Sequence, residues 1–108
     1  MTYETVKKEA YTIILLTDDV DMSSSSIARK QILDALSKSE NVMVDLSKVT
    51  YIDSSGVASL VEGFQTAKSK KCNFYLIGVS EAAMMVFKLA RLDKVFPIFD
   101  TFEQALKN

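Results

Sequence analysis

Histidine is absent from this 108-residue chain, and cysteine and proline occur once each, as Cys72 and Pro97. Without histidine there is no Ser-His-Asp or Cys-His nucleophile and no histidine-bearing zinc site. A lone cysteine closes no disulfide within the chain, builds no four-thiolate metal site and fits a reducing compartment. The three glycines, Gly56, Gly63 and Gly78, are scattered. They form neither a Gly-x-Gly-x-x-Gly turn nor a Walker-type loop, so nucleotide hydrolysis by this chain is not expected. No apolar run approaches the roughly 20 residues that cross a bilayer. Met1-Thr2-Tyr3-Glu4 opens onto neither a basic segment nor the apolar core of a signal peptide. The expectation is a protein that does not span a membrane and sits in the cytoplasm. Neither sign of charge is in excess, with 13 basic against 14 acidic residues and a net charge of -1. Direct nucleic-acid binding, which needs a concentrated basic surface, is therefore not expected. Lys68, Lys70 and Lys71, the densest basic patch, read as the solvated end of a helix.

What is present suits one globular domain spanning 1–108, with 48% hydrophobic and 25% charged residues. Thr2–Lys7 reads as an edge strand and the β-branched run Tyr11–Leu16 as an interior one, joined through Lys8-Glu9-Ala10. Polar Asp18 to Ser26 breaks the pattern, and a helix follows from about Ser26 to Lys38 with Ala28, Ile32, Ala35 and Leu36 on one face. Val42–Leu46 is a compact strand and Ser47–Ile52 a linking stretch. The cleanest helical period runs from about Ser55 to Ser69, with Val57, Leu60, Val61, Phe64 and Ala67 inward and Ser59, Glu62, Gln65 and Thr66 largely outside. Phe74–Ile77 is a strand, Glu81 to about Ala90 a helix, Val95–Phe99 a strand that Pro97 pushes to an edge, and Thr101–Lys107 a closing helix. Strands alternating with helices over short connections imply right-handed crossovers. The fold class is α/β, with a mixed, mainly parallel sheet of four to five strands and about four helices.

Asp53-Ser54-Ser55-Gly56, placed just before the best helix, is the candidate site. Two readings stand side by side. In one, Asp53 or Ser54 merely caps first-turn amides and Gly56 keeps the entry slim. In the other, Ser55, its hydroxyl near solvent, accepts a phosphate that the free amides and the helix dipole would stabilise. Such a phosphate adds about -1.5 to -2 charges close to Asp53. The serine has no general base of its own, so another enzyme must deliver the phosphoryl group. Elsewhere, Ser23–Ser26 reads as capping with surplus surface hydroxyls. Asp18, Asp19 and Asp21 form either an acidic rim that orients a basic partner or a solvated loop, and do not specify a metal site. The helix at Glu81 carries an apolar arc wider than one core face requires. In one reading Ala82, Val86, Leu89 and Ala90 make the inward face and Met84, with Met85 or Phe87, forms an exposed protein-binding patch; in the other the whole arc packs against the sheet and the C-terminal segment.

The run Val44-Asp45-Leu46-Ser47-Lys48-Val49-Thr50-Tyr51-Ile52-Asp53-Ser54-Ser55-Gly56-Val57-Ala58-Ser59-Leu60 resembles the core signature of STAS domains. It is most similar to that of free-standing bacterial anti-sigma factor antagonists. Gly78-Val79 and the stretch Leu89 to Phe99 resemble the C-terminal pattern, so the likeness covers nearly the whole chain. It implies a non-enzymatic partner-switching module with no cofactor, in which Ser55 is phosphorylated, Asp53 matches the family's aspartate, and Ser54 and Gly56 complete the switch loop. The implied partners are a cognate serine kinase that often doubles as the anti-sigma factor, and a metal-dependent serine phosphatase. The unphosphorylated form would bind the kinase and the phosphorylated form would be released. The family's acidic position after the early strand falls on Asp21, although the glycine that usually precedes it is missing. The resemblance also admits a STAS-like regulatory subunit of a lipid-trafficking ABC transporter, which neighbouring transporter genes would favour over a neighbouring kinase gene.

Overall fold

A two-residue turn starts the sheet. In the computed structural model, which describes residues 2–108, β1 (Glu4–Lys8) and β2 (Tyr11–Val20) pair antiparallel with Lys8 opposite Tyr11. Glu9 and Ala10 between them both have positive φ, 53° and 67°. That is the hand a two-residue hairpin needs, here met without glycine or asparagine. Asn41–Ile52 forms β3, Phe74–Ile77 β4 and Ile98–Phe99 β5. The sheet order among the described residues is β1-β2-β3-β4-β5, parallel at every pairing after the first. This is the mixed, mainly parallel arrangement the alternation implies, together with four helices: α1 (Ser25–Ser37), α2 (Ser54–Lys70), α3 (Glu81–Leu89) and α4 (Phe102–Leu106).

Two strands run further than their apolar patterns. β2 continues past Leu16 through Thr17-Asp18-Asp19 to Val20, and β3 absorbs Ser47–Ile52, read above as a link. The extensions pair with each other, Thr17 with Lys48 and Val20 with Ile52, across two register shifts, and Asp18 takes φ 59° at the second. Those bulges let a ribbon of exposed polar residues continue a buried sheet. Only Val20, Val49 and Ile52 of the ribbon turn into the core. Asp18 and Asp19 thus stand on a strand and not in a loop. At the other end, β5 is shorter than expected. Pro97 contributes only its carbonyl, which accepts from the Leu76 amide at 3.0 Å.

α1, α2 and α3 cover one face of the sheet, and α4 covers the other with Phe102 and Ala105 against Tyr11, Ile13, Met43 and Ile77. α2 seats closely because Gly63 has no Cβ: one built there would lie 2.7 Å from Ile32 Cγ2 and 3.0 Å from Phe74 Cε2. α3 is rotated relative to the expectation. Ala83 and Phe87 point inward, whereas Leu89 is 81% exposed and Ala90 lies on the surface. Ser59, expected outside, is buried. Lys68 and Lys70 do occupy the last turn of α2, where cations complement the helix dipole. Among the described residues no helix is long and apolar enough to cross a membrane.

Candidate functional site

The carboxyl ends of β2 and β3 lie side by side, so the turns that follow them, Asp21–Ser24 and Asp53, share one end of the molecule. Asp53 is the residue that caps α2; Ser54 is already helical and exposed. The extended backbone of Asp53 (φ -105°, ψ -173°) aims its carboxylate back over the first turn. Oδ1 accepts from the Ser55 amide at 2.9 Å, the Gly56 amide at 3.1 Å and the Ser55 hydroxyl at 2.6 Å. The short hydroxyl bond is the largest cause holding the Asp53 carboxyl below the usual carboxylate range, with smaller help from the Gly56, Ser55 and Met22 amides. Desolvation opposes it. Ser55 is half-buried, less open than the sequence suggests, and its hydroxyl direction is fixed.

A depressed carboxylate adds stability that is present above its unfolded pKa, about 3.9, and is lost as pH falls through the lower folded value. The melting temperature is therefore expected to drop on acidification below about pH 4. Asp53→Asn should flatten part of that drop in a calorimetric pH series. Superimposable profiles for the two proteins would show that the Asp53 carboxylate is not held in this way.

Gly56 fits the site through what it omits. A Cβ there would lie 2.7 Å from the Val20 carbonyl oxygen and 2.6 Å from Ile52 Cγ1. The same Val20 carbonyl accepts from the Asp53 amide at 3.3 Å. The end of β2 is thereby pressed against the first turn of α2.

The neighbouring turn repeats the local chemistry. Asp21 Oδ1 accepts from the Ser23 amide at 3.0 Å and the Ser23 hydroxyl at 2.6 Å. These bonds hold the Asp21 carboxyl below its ordinary range, although the nearby Asp53 charge pushes the other way. Ser24 heads α1 but its hydroxyl caps no helical amide: it donates to the Asp19 carbonyl at 2.9 Å and accepts from the Asp21 amide at 3.0 Å. The serine run thus fixes a turn more than it caps a helix, and Ser24 and Ser25 are buried. A third copy of the geometry occurs at Asp45 and Ser47, with bonds of 2.8 and 2.7 Å. Ser55 differs from Ser23 and Ser47 in occupying the first turn of a 17-residue helix.

Of the acidic rim, Asp21 adjoins Asp53, whereas Asp19 reaches along the ribbon to accept from the Thr50 hydroxyl at 3.1 Å and Asp18 is exposed on β2. Met84 is half-buried; Met85 and Leu89, one helical turn apart, form the exposed apolar stripe of α3. A groove of about 630 Å³ runs between α2 and α3, lined by Val57, Ala58, Val61, Val86 and Ala90, with Ser54 at its upper end. Two residues of the site have no functional signal in the sequence. Met22 is 82% exposed beside Asp53, and buried Ser59 stands one turn below Ser55.

The site is thus a capped serine turn at the carboxyl ends of the strands of a mixed sheet that is helical mainly on one side. The chain belongs to the STAS domain family, whose model matches residues 2–105. Among solved structures it is similar to an anti-sigma factor antagonist from Mycobacterium paratuberculosis, with 21% identity and a TM-score of 0.87 over 98% of this chain and 91% of that one. It is also similar to the anti-sigma factor antagonist SpoIIAA in its unphosphorylated form, at 17% identity and a TM-score of 0.81 over 97% and 93% of the two chains. The Bacillus cell fate determinant SpoIIAA in its phosphorylated form matches at 17% identity and a TM-score of 0.75, over 98% and 97%. At these identities the likeness is one of fold.

Proposed function

We propose that this protein is a phosphorylatable anti-sigma factor antagonist that acts by partner switching, with Ser55 as the phosphoacceptor. The observation that carries the reading is the Ser55 hydroxyl, held 2.6 Å from the Asp53 carboxylate in the first turn of α2. Asp53 fixes the direction of the hydroxyl, but a carboxylate held below its ordinary range is a weak base. The phosphoryl group must come from a separate serine kinase, and its removal from a metal-dependent serine phosphatase. In the unphosphorylated state the kinase, serving also as the anti-sigma factor, covers the turn and docks along the apolar α2–α3 groove.

Phosphorylation replaces a donor by an acceptor. The Ser55 oxygen no longer gives a proton to Asp53, and about -1.5 to -2 charges arrive beside that carboxylate and beside Asp21. The positive end of the α2 dipole favours the phosphate, but Asp53 already occupies the Ser55 and Gly56 amides. The partner instead meets a bulkier, hydrated dianion where it had met a neutral hydroxyl, and covering a charge that gains no partner is costly. The modified form is released, and the anti-sigma factor is free to hold its sigma factor again.

Ser55→Ala should keep wild-type affinity for the kinase by calorimetric titration, while Ser55→Asp should bind at least about tenfold more weakly. Equal affinity of the wild type and Ser55→Asp would overturn this reading of the turn.

A further inference from the structure

We propose that Ser59 is a positioning residue that ties the Ser55 turn to the Asp21 turn, so that a charge placed at Ser55 is felt between Asp21 and Ser25. Its biological use rests on the phosphoacceptor reading of Ser55; the coupling itself is a property of the folded chain. Ser59 is 6% exposed, and its Oγ lies 3.1 Å from the Ser25 carbonyl oxygen and 3.1 Å from that of Ser55. A helical serine commonly donates back to the carbonyl four residues earlier. Here the same hydroxyl also faces a carbonyl 34 residues away, on the first residue of α1. One buried proton is shared between the openings of two helices.

The surroundings make that link consequential. The Asp53 amide donates to the Val20 carbonyl at 3.3 Å, and Gly56 sits against the same carbonyl. The Asp21 carbonyl accepts from the amides of Ser24 at 3.0 Å and Ser25 at 2.7 Å, so the residue whose carbonyl Ser59 holds also closes the Asp21 turn. A negative group at position 55 is repelled by the Asp53 oxygen that its hydroxyl now meets at 2.6 Å, and that repulsion loads the first turn of α2. Its carbonyl then pulls on Ser59, Ser59 on Ser25, and Ser25 on the turn that carries Met22. The partner surface changes on both of its turns when only one serine is modified. Networks of buried hydrogen bonds couple in this way because each member is costly to leave unpaired.

Amide hydrogen exchange across Asp21–Ala28, followed by NMR on the purified chain, tests this without a kinase. In the wild-type background Ser55→Asp should raise exchange in Asp21–Ser25 by about fivefold, the worth of one net hydrogen bond. In a Ser59→Ala background the same substitution should add no further change, and Ser59→Thr, which keeps the hydroxyl, should restore the response. If Ser59→Ala loses cooperative folding, Ser59→Cys, of similar size but a weak donor, takes its place. Unchanged exchange after Ser55→Asp in the wild type would overturn the proposal, as would an equal rise with and without the Ser59 hydroxyl. Either result leaves the phosphoacceptor assignment standing, and an absence of phosphate in cells would leave the coupling standing.

Discussion

Phe87→Ala is expected to destabilise the protein by about 3–5 kcal/mol, the usual cost of emptying a buried aromatic site. Leu89→Ala, two residues later, should change stability by less than about 0.5 kcal/mol. Phe87 is fully buried, and its ring centroid lies 5.4 Å from that of Phe96, which in turn contacts Phe64 of α2 at 5.8 Å. Truncating Phe87 removes the middle of the contact through which α3 and the segment after it hold together, and leaves a cavity that the flanking aromatics cannot fill. Leu89 is 81% exposed and loses little apolar contact. Urea unfolding of the two variants separates this packing from the opposite rotation of α3, in which Leu89 faces the core and the ranking of the two costs reverses.

Gly56→Ala is expected to cost about 1–3 kcal/mol through overpacking. This is despite the roughly 1 kcal/mol by which alanine is intrinsically the better helix former. The added methyl meets the Val20 carbonyl at 2.7 Å, and that atom is backbone already bonded to the Asp53 amide. Relief by a side-chain rotation is open only at Ile52; at Val20 the strand end or the first turn of α2 must give way. Either movement shifts Ser55, and with it Ser54 at the end of the groove, so partner affinity should fall together with stability. Gly63→Ala, which meets side chains alone, serves as the comparison: it should lower stability and leave affinity for the kinase intact. Equal losses of affinity in both variants would show that Gly56 has no special part in placing the switch turn.

The same two regions show how far the sequence was legible. β-branched runs and helical periods located each strand and helix, because burial of one face or both leaves a mark at every second or every third to fourth residue. They could not show that β2 and β3 continue past their apolar stretches, because Thr17–Asp19 and Ser47–Tyr51 form a ribbon stabilised by pairing, with solvent over most of its side chains. Nor could they orient α3. Ala82 to Phe87 is apolar throughout, so no polar face marks the outside, and the inward direction is set by Phe96, which follows the helix. The Asp53-Ser54-Ser55-Gly56 turn was readable because capping chemistry is local, with the aspartate, the hydroxyl and the glycine all acting within one helical turn. Ser59 was not readable, because its second acceptor belongs to a residue 34 positions away. Met22 was hidden for the same reason: its importance comes from the pairing that brings the end of β2 beside the end of β3.

Phosphopeptide mapping of the protein purified from its native cells, with phosphatase inhibitors present, reads the state of Ser55 itself. A single phosphate is expected on Ser55, none on Ser23 or Ser47 despite their similar bonds to Asp21 and Asp45, and complete loss of the label in Ser55→Ala. Absence of phosphate at Ser55 across growth and stress conditions, or its persistence on another residue of the Ser55→Ala protein, would contradict it.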